Sequence, residues 1–168
     1  MTTIKTYPQD RLAAQPIGYW SREAATLVIG ALRASLAEEH LTQPHWWTLG
    51  HVAGAPGTWT RTALTEKLTP FDDQNTDFTT VYDDLSARGW LKESEDGTLT
   101  LTPAGEEARL RAHARNAEVH TRYRRGIDDT TYAATIDGSV KLTVVLGLLG
   151  VQRRAAESRP SKVMSKAF

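Results

Sequence analysis

Between Leu64 and Gly105, hydroxyl and amide side chains gather in an order that could read nucleic acid. Thr76, Thr79 and Thr80 can each donate to or accept from a base edge or a phosphate oxygen, and Gln74 and Asn75 stand just before them. A solvated polar face with a capping Thr is the competing reading. Arg61 and Lys67 lie upstream, where backbone phosphates would pass, and plain surface charge is the alternative. A second set is aromatic. Trp20, His45, Trp46 and Trp47 could line a cavity for a planar, phenol-like ligand, or could pack as core with a surface His. The stretch Arg109 to Arg125 holds six Arg and one Glu after an opening Glu pair. It suits phosphates, the acids of a partner chain, or a solvated helix face.

Catalytic chemistry finds little support. There is no nucleophile elbow and no Gly-rich phosphate loop. The acids sit as adjacent pairs, Asp72-Asp73, Asp83-Asp84 and Asp128-Asp129, which suit loops and surfaces better than acid–base work. No catalytic residue and no cofactor is expected. Nor does the spacing of the five His suggest a metal: His45 and His51 fall on different helix faces, and His113 and His120 share one without a third ligand. Cys is absent, which excludes disulfides, thiolate zinc sites and a Cys nucleophile, and permits a reducing compartment. The net charge is zero, so any attraction to DNA must come from local clustering.

The elements that would position these groups follow from pattern. Residues 1–15 read as a flexible arm without the apolar core of a signal peptide. Pro16 can open a long helix to Leu41, with Tyr19, Trp20, Leu27, Val28, Ala31, Leu32 and Leu36 on a broad apolar stripe. Thr42 caps a second helix with Pro44 in its first turn. Thr58 or Thr60 caps a third, ending near Leu68. A fourth is expected from about Asn75 to Ala87, with Phe78, Val81, Tyr82 and Leu85 inward and Thr76, Thr79 and Thr80 outward, and Gly89 stops it. Trp90 to Lys92 and Leu99 to Leu101 form a hairpin about Asp96-Gly97. Thr102 caps a helix opening at Pro103, with Glu106 and Glu107 in its first turn. Asp128 or Thr130 starts a last, apolar helix running to Gly150, too short at its apolar core to span a membrane. A basic tail, residues 152–168, reads as disordered. The fold class is mainly α with a small β-wing: a winged helix-turn-helix over 42–102, flanked by long helices at 16–41 and 103–151.

That order of elements resembles the MarR family of bacterial transcription regulators. LTQPHWWTL at 41–49, VYDDLSARGWL at 81–91 and LTLTPAGEEARL at 99–110 carry the resemblance. It implies a cytoplasmic homodimer clasped through its terminal helices, two recognition helices on one pseudo-palindromic duplex, and a small aromatic ligand between the parts. The expected function is a repressor of this kind. Two departures keep a second reading open, a winged-helix interaction module with weak or lost DNA binding. The turn Ser94-Glu95-Asp96-Gly97-Thr98 lacks the family's wing Arg, and the recognition helix carries Asp77, Asp83 and Asp84 with no cation before Arg88.

Overall fold

A computed structural model describes residues 7–148, with side chains as far as Val145. The expected tail at 152–168 lies outside the described residues, as do the first six residues of the arm and the end of the last helix. The chain divides after Tyr123 into two compact units, each described by itself.

The first unit contains α1 (Gln9–Ala13), α2 (Ile17–Ala37), α3 (Gln43–Gly54), α4 (Arg61–Leu68), a single 3-10 turn at Thr69–Phe71, α5 (Phe78–Ala87), β1 (Leu91–Glu93), β2 (Leu99–Leu101) and α6 (Pro103–Tyr123). The second contains α7 (Asp129–Leu148). The architecture is helical with one antiparallel hairpin, as the sequence predicts.

Start signals fall where side chains can satisfy orphan amides. Thr60 Oγ1 accepts from Ala63 N at 3.2 Å and opens α4. Thr102 Oγ1 accepts from Gly105 N at 3.0 Å and opens α6, while donating to the Gly89 carbonyl at 2.7 Å. Asp128 Oδ1 accepts from Thr131 N at 2.8 Å and opens α7. At Thr42 the cap is completed by a side chain from the first turn. The amide and hydroxyl of Thr42 lie 3.3 and 2.6 Å from His45 Nδ1.

Two expectations are corrected. Within the 1–15 arm, Gln9–Ala13 form a short helix whose residues are all exposed. The fourth expected helix begins at Phe78, not at Asn75. Asp72 is the reason: its carboxylate accepts from Gln74 N at 3.3 Å, Thr76 N at 2.6 Å and Thr76 Oγ1 at 2.9 Å, closing a loop. Asn75 takes a left-handed φ of 53° within it, and Asp77 then caps α5 by accepting from Thr79 N at 3.0 Å.

The core sits among α3, α4, α5 and the hairpin. Leu49, Val52, Leu64, Leu68, Tyr82, Leu85 and Leu99 are sealed from solvent, with Leu36 from α2 and Ala112 from α6 against them. The hairpin pairs Leu91 with Leu101, Lys92 with Thr100 and Glu93 with Leu99. The segment before α4 joins its free edge: Leu99 N donates to the Trp59 carbonyl at 2.8 Å, and Gly57 N to that of Leu99 at 3.1 Å.

Candidate nucleic-acid interface and aromatic cavity

Phe78, Val81, Tyr82 and Leu85 turn α5 inward at three- and four-residue steps, and Tyr82 fixes its hydroxyl on Thr65 Oγ1 at 3.0 Å. The opposite face therefore projects Thr79, Thr80 and Asp83 into solvent. Thr80 donates its hydroxyl to Asp77 at 3.0 Å, which orders the first turn. The wing tip is tightly held. Asp96 Oδ1 accepts from Ser94 Oγ at 2.6 Å, Thr98 Oγ1 at 2.7 Å and Thr98 N at 3.0 Å. The Ser94 hydrogen bond first, then those of Thr98, hold the Asp96 carboxyl down to about 2.

The charges on this surface are largely spent on one another. Arg61 opens α4 and reaches two neighbours: its Nη1 donates to Asp83 of α5 at 2.6 Å, and its Nε to Glu93 of β1 at 2.9 Å. Its guanidinium also lies 5.7 Å from the Tyr82 ring centre. The Asp83 hydrogen bond foremost, with desolvation opposing it and the Glu93 hydrogen bond adding to it, raises the Arg61 pKa. Arg88 at the end of α5 pairs with Asp84 at 2.7 Å. His45 Nε2 lies 3.1 Å from the same carboxylate. Nδ1 accepts from the Thr42 amide, so Nε2 carries the hydrogen and donates to Asp84. Burial pushes this imidazole below its usual value; the Asp84 charge opposes that and Arg88 adds to it. Arg33 of α2 binds both Gln43 Oε1, at 3.1 Å, and Asp73 in the loop before α5.

A separate cavity of about 470 Å³ opens between α3 and α6. Trp46, Trp47 and Trp59 form its walls, the backbone at Gly50 and Gly54 leaves room, and Arg109 and His113 stand at its α6 side. Its frame is hydrogen-bonded. Trp59 Nε1 donates to the His51 carbonyl at 3.1 Å, His51 Nδ1 donates to the Trp47 carbonyl at 3.0 Å, and the His51 and Trp59 rings meet edge to face at 5.9 Å. Arg109 is steadied by Glu106 through bonds of 2.7 and 2.6 Å.

No family model matches the sequence, and no curated protein matches it. Solved structures do. The Mycobacterium tuberculosis MarR family protein Rv2887, in complex with DNA, superposes with a TM-score of 0.64 at 20% identity, covering 76% of this chain and 98% of that one. CouR from Rhodococcus jostii, bound to p-coumaroyl-CoA, gives 0.59 at 20% identity, over 77% and 92% of the two chains. The reduced form of MarR from E. coli gives 0.61 at 18% identity, over 77% and 93%. The chain has the MarR fold.

On this MarR fold the residues singled out from sequence separate into distinct places. Thr79 and Thr80 share the exposed face of α5. Thr76, with Gln74 and Asn75, stands in the loop before it, its hydroxyl turned to Asp72. Arg61 borders α5 but is held by two carboxylates, and exposed Lys67 stands in the last turn of α4 beside Phe71 and Trp47. Trp46 and Trp47 meet in the cavity. His45 does not: one residue earlier on α3, it faces Asp84. Trp20 lies apart, half exposed beside Leu12 and Gln15 and edge to face with Tyr19. His51, Trp59, Arg109 and His113 complete the cavity and were not foreseen. Trp47 and His51 are one helical turn apart, and so are Arg109 and His113, a periodicity that could have grouped them. The basic cluster of α6 largely resolves into intrachain pairs, Arg109 with Glu106, Arg111 with Glu39, and Arg115 with Glu38 and Glu39.

Proposed function

We propose that the protein is a cytoplasmic transcription regulator, a repressor that binds double-stranded DNA as a homodimer and responds to a small aromatic ligand. The observation that carries this reading is the exposed Thr79–Thr80 face of α5, on a MarR fold whose wing tip is hydrogen-bonded within itself. An exposed helix of that kind is the unit that enters a major groove, with polar side chains near its N-terminus meeting base edges. Arg61, Lys67, Gln74, Asn75 and Thr76 are the flanking positions, with phosphate oxygens as their partners. Rv2887, of the same fold, is solved in complex with DNA.

The ligand reading rests on Trp46, Trp47 and Trp59, with Arg109 as a cationic handle for an acid group. Three indoles offer flat apolar area, and one placed charge orients an amphipathic guest. Rv2887 is also solved with p-aminosalicylic acid and with salicylic acid. His45 and Trp20 do not line this cavity. Homodimer formation is supported by apolar side chains left in water. Ile17, Tyr19, Trp20, Leu27 and Val28 are exposed along α2, and Ile136, Val140, Leu142, Val144 and Val145 along α7.

The test is a selection from fragmented genomic DNA followed by fluorescence anisotropy on the recovered duplexes. A preferred sequence bound well above random duplex, and weakened by Thr79→Ala, is the expected result. Equal, feeble binding to every fragment would remove the regulator reading. One feature favours the interaction module instead: the wing and α5 present Glu93, Glu95, Asp96 and Asp83, while the nearest Arg is paired. On that reading the slope of log K against log salt stays shallow, whereas one steeper than about −4 requires about four or more phosphate contacts.

A further inference from the structure

We infer that Asp83 and Glu93 form a specificity-determining pair that restrains Arg61 and thereby holds down sequence-independent binding to duplex DNA. The inference rests on the DNA-binding reading and adds to it residues whose role is to weaken contact with the backbone. Arg61 sits at the first position of α4, with its head between the exposed face of α5 and the base of the wing. A phosphate approaching either element meets that guanidinium. It also meets two carboxylates, one from each element, within hydrogen-bond distance of it. One cation against two anions leaves the cluster net negative where a basic patch would ordinarily stand.

Asp83 and Glu93 are both substantially exposed, with side-chain exposures of 62% and 40%. Each ion pair so open to water is worth only about 0–1 kcal/mol, but Arg61 must give up both carboxylates to meet a phosphate, so together they oppose that contact. The exchange leaves the displaced carboxylates near the backbone, and their repulsion subtracts from every phosphate contact. Sequence-independent affinity comes almost wholly from phosphates, whereas base contacts through Thr79 and Thr80 do not depend on this charge. Discrimination is a difference between two affinities, and weakening the unspecific one widens it. The same trio joins α4, α5 and β1, so a plain strut is the rival explanation.

The experiment compares the full-length protein with Asp83→Asn/Glu93→Gln and with the same pair plus Arg61→Gln, all on a random-sequence 30-base-pair duplex over a salt series. In the double variant the slope of log K against log salt is expected to steepen by about 1 and random-duplex affinity to rise, because Arg61 now neutralises a phosphate. Adding Arg61→Gln is expected to abolish the gain. A gain that survives loss of Arg61 would reduce the effect to bulk charge and overturn the inference. Unchanged or weaker binding by the double variant would also overturn it and leave the strut. Thermal unfolding of each variant reports whether the fold persists. These readouts use no operator, so they fail separately from the regulator reading, which the genomic selection decides.

Discussion

Gly105 shows how closely single residues set the wing. A Cβ built there would stand 2.1 Å from the Trp90 carbonyl oxygen, a backbone atom that cannot swing aside. Gly105→Ala must push β1 away from the start of α6 and loosen Thr102, which holds both. A loss of about 1–3 kcal/mol is expected in urea denaturation, the range for overpacking a tight site. His45 supplies a pH dependence. Its folded-state value is lowered by burial, so an unfolded chain binds the proton more readily. Stability is therefore full above the unfolded value of about 6.5 and falls as pH drops through 6.5 toward the folded value. His45→Gln should flatten that part of the Tm-against-pH curve, and a variant with the wild-type slope would place the acid sensitivity elsewhere. Asp96 titrates the other way round in origin but to the same effect. Its carboxyl, held at about 2, favours the folded wing above the ordinary carboxylate range and releases it as pH falls through about 2. Carboxyl NMR should find Asp96 still ionised at pH 3.

Elements were more legible than their ends. Apolar steps of three and four disclosed α5, cap and first-turn residues disclosed α3 and α6, and the Asp96-Gly97 pair with Gly89 placed the hairpin, because those signals are local. The start of α5 was hidden because Asp72 competes for the same amides that a helix at Asn75 would use, and side-chain competition of this kind leaves no periodicity. The pocket was half legible for a related reason. Trp46 and Trp47 announce themselves, but Trp59 reaches the site only because strand-like pairing with Leu99 carries it there. His45 looked like a pocket wall and proved a tether between α3 and α5. Within α3, Thr48 is fully buried and its hydroxyl has no partner among the described residues. A helix that buries an unsatisfied hydroxyl gains by losing it. Thr48→Val should stabilise the protein by about 1 kcal/mol, measured by chemical denaturation, since the cost of the desolvated group is about 1–3 kcal/mol.

At the scale of the whole molecule the unanswered physical demand is apolar surface. Among the described side chains of α7 none is buried, although Ile136, Val140, Leu142, Val144 and Val145 are large and apolar. On α2, Leu27 is 71% exposed. A helix of 20 residues draws most of its stability from packing its apolar side, so α7 needs a surface to lie against. The proposed second copy would meet that need, and it makes the prediction sharp at Leu27. If the protein were a monomer, Leu27→Arg would be an exposed exchange, worth within about ±0.5 kcal/mol. If α2 packs in a dimer, the same change places an unpaired cation in an apolar contact. Light scattering should then show the wild type at twice the chain mass and the variant shifted toward one chain. The melting temperature of the wild type should also climb with protein concentration, because association stabilises by mass action, and that of the variant should not. A wild-type Tm independent of concentration, with Leu27→Arg unchanged in mass, would leave the apolar faces of α2 and α7 to some other partner.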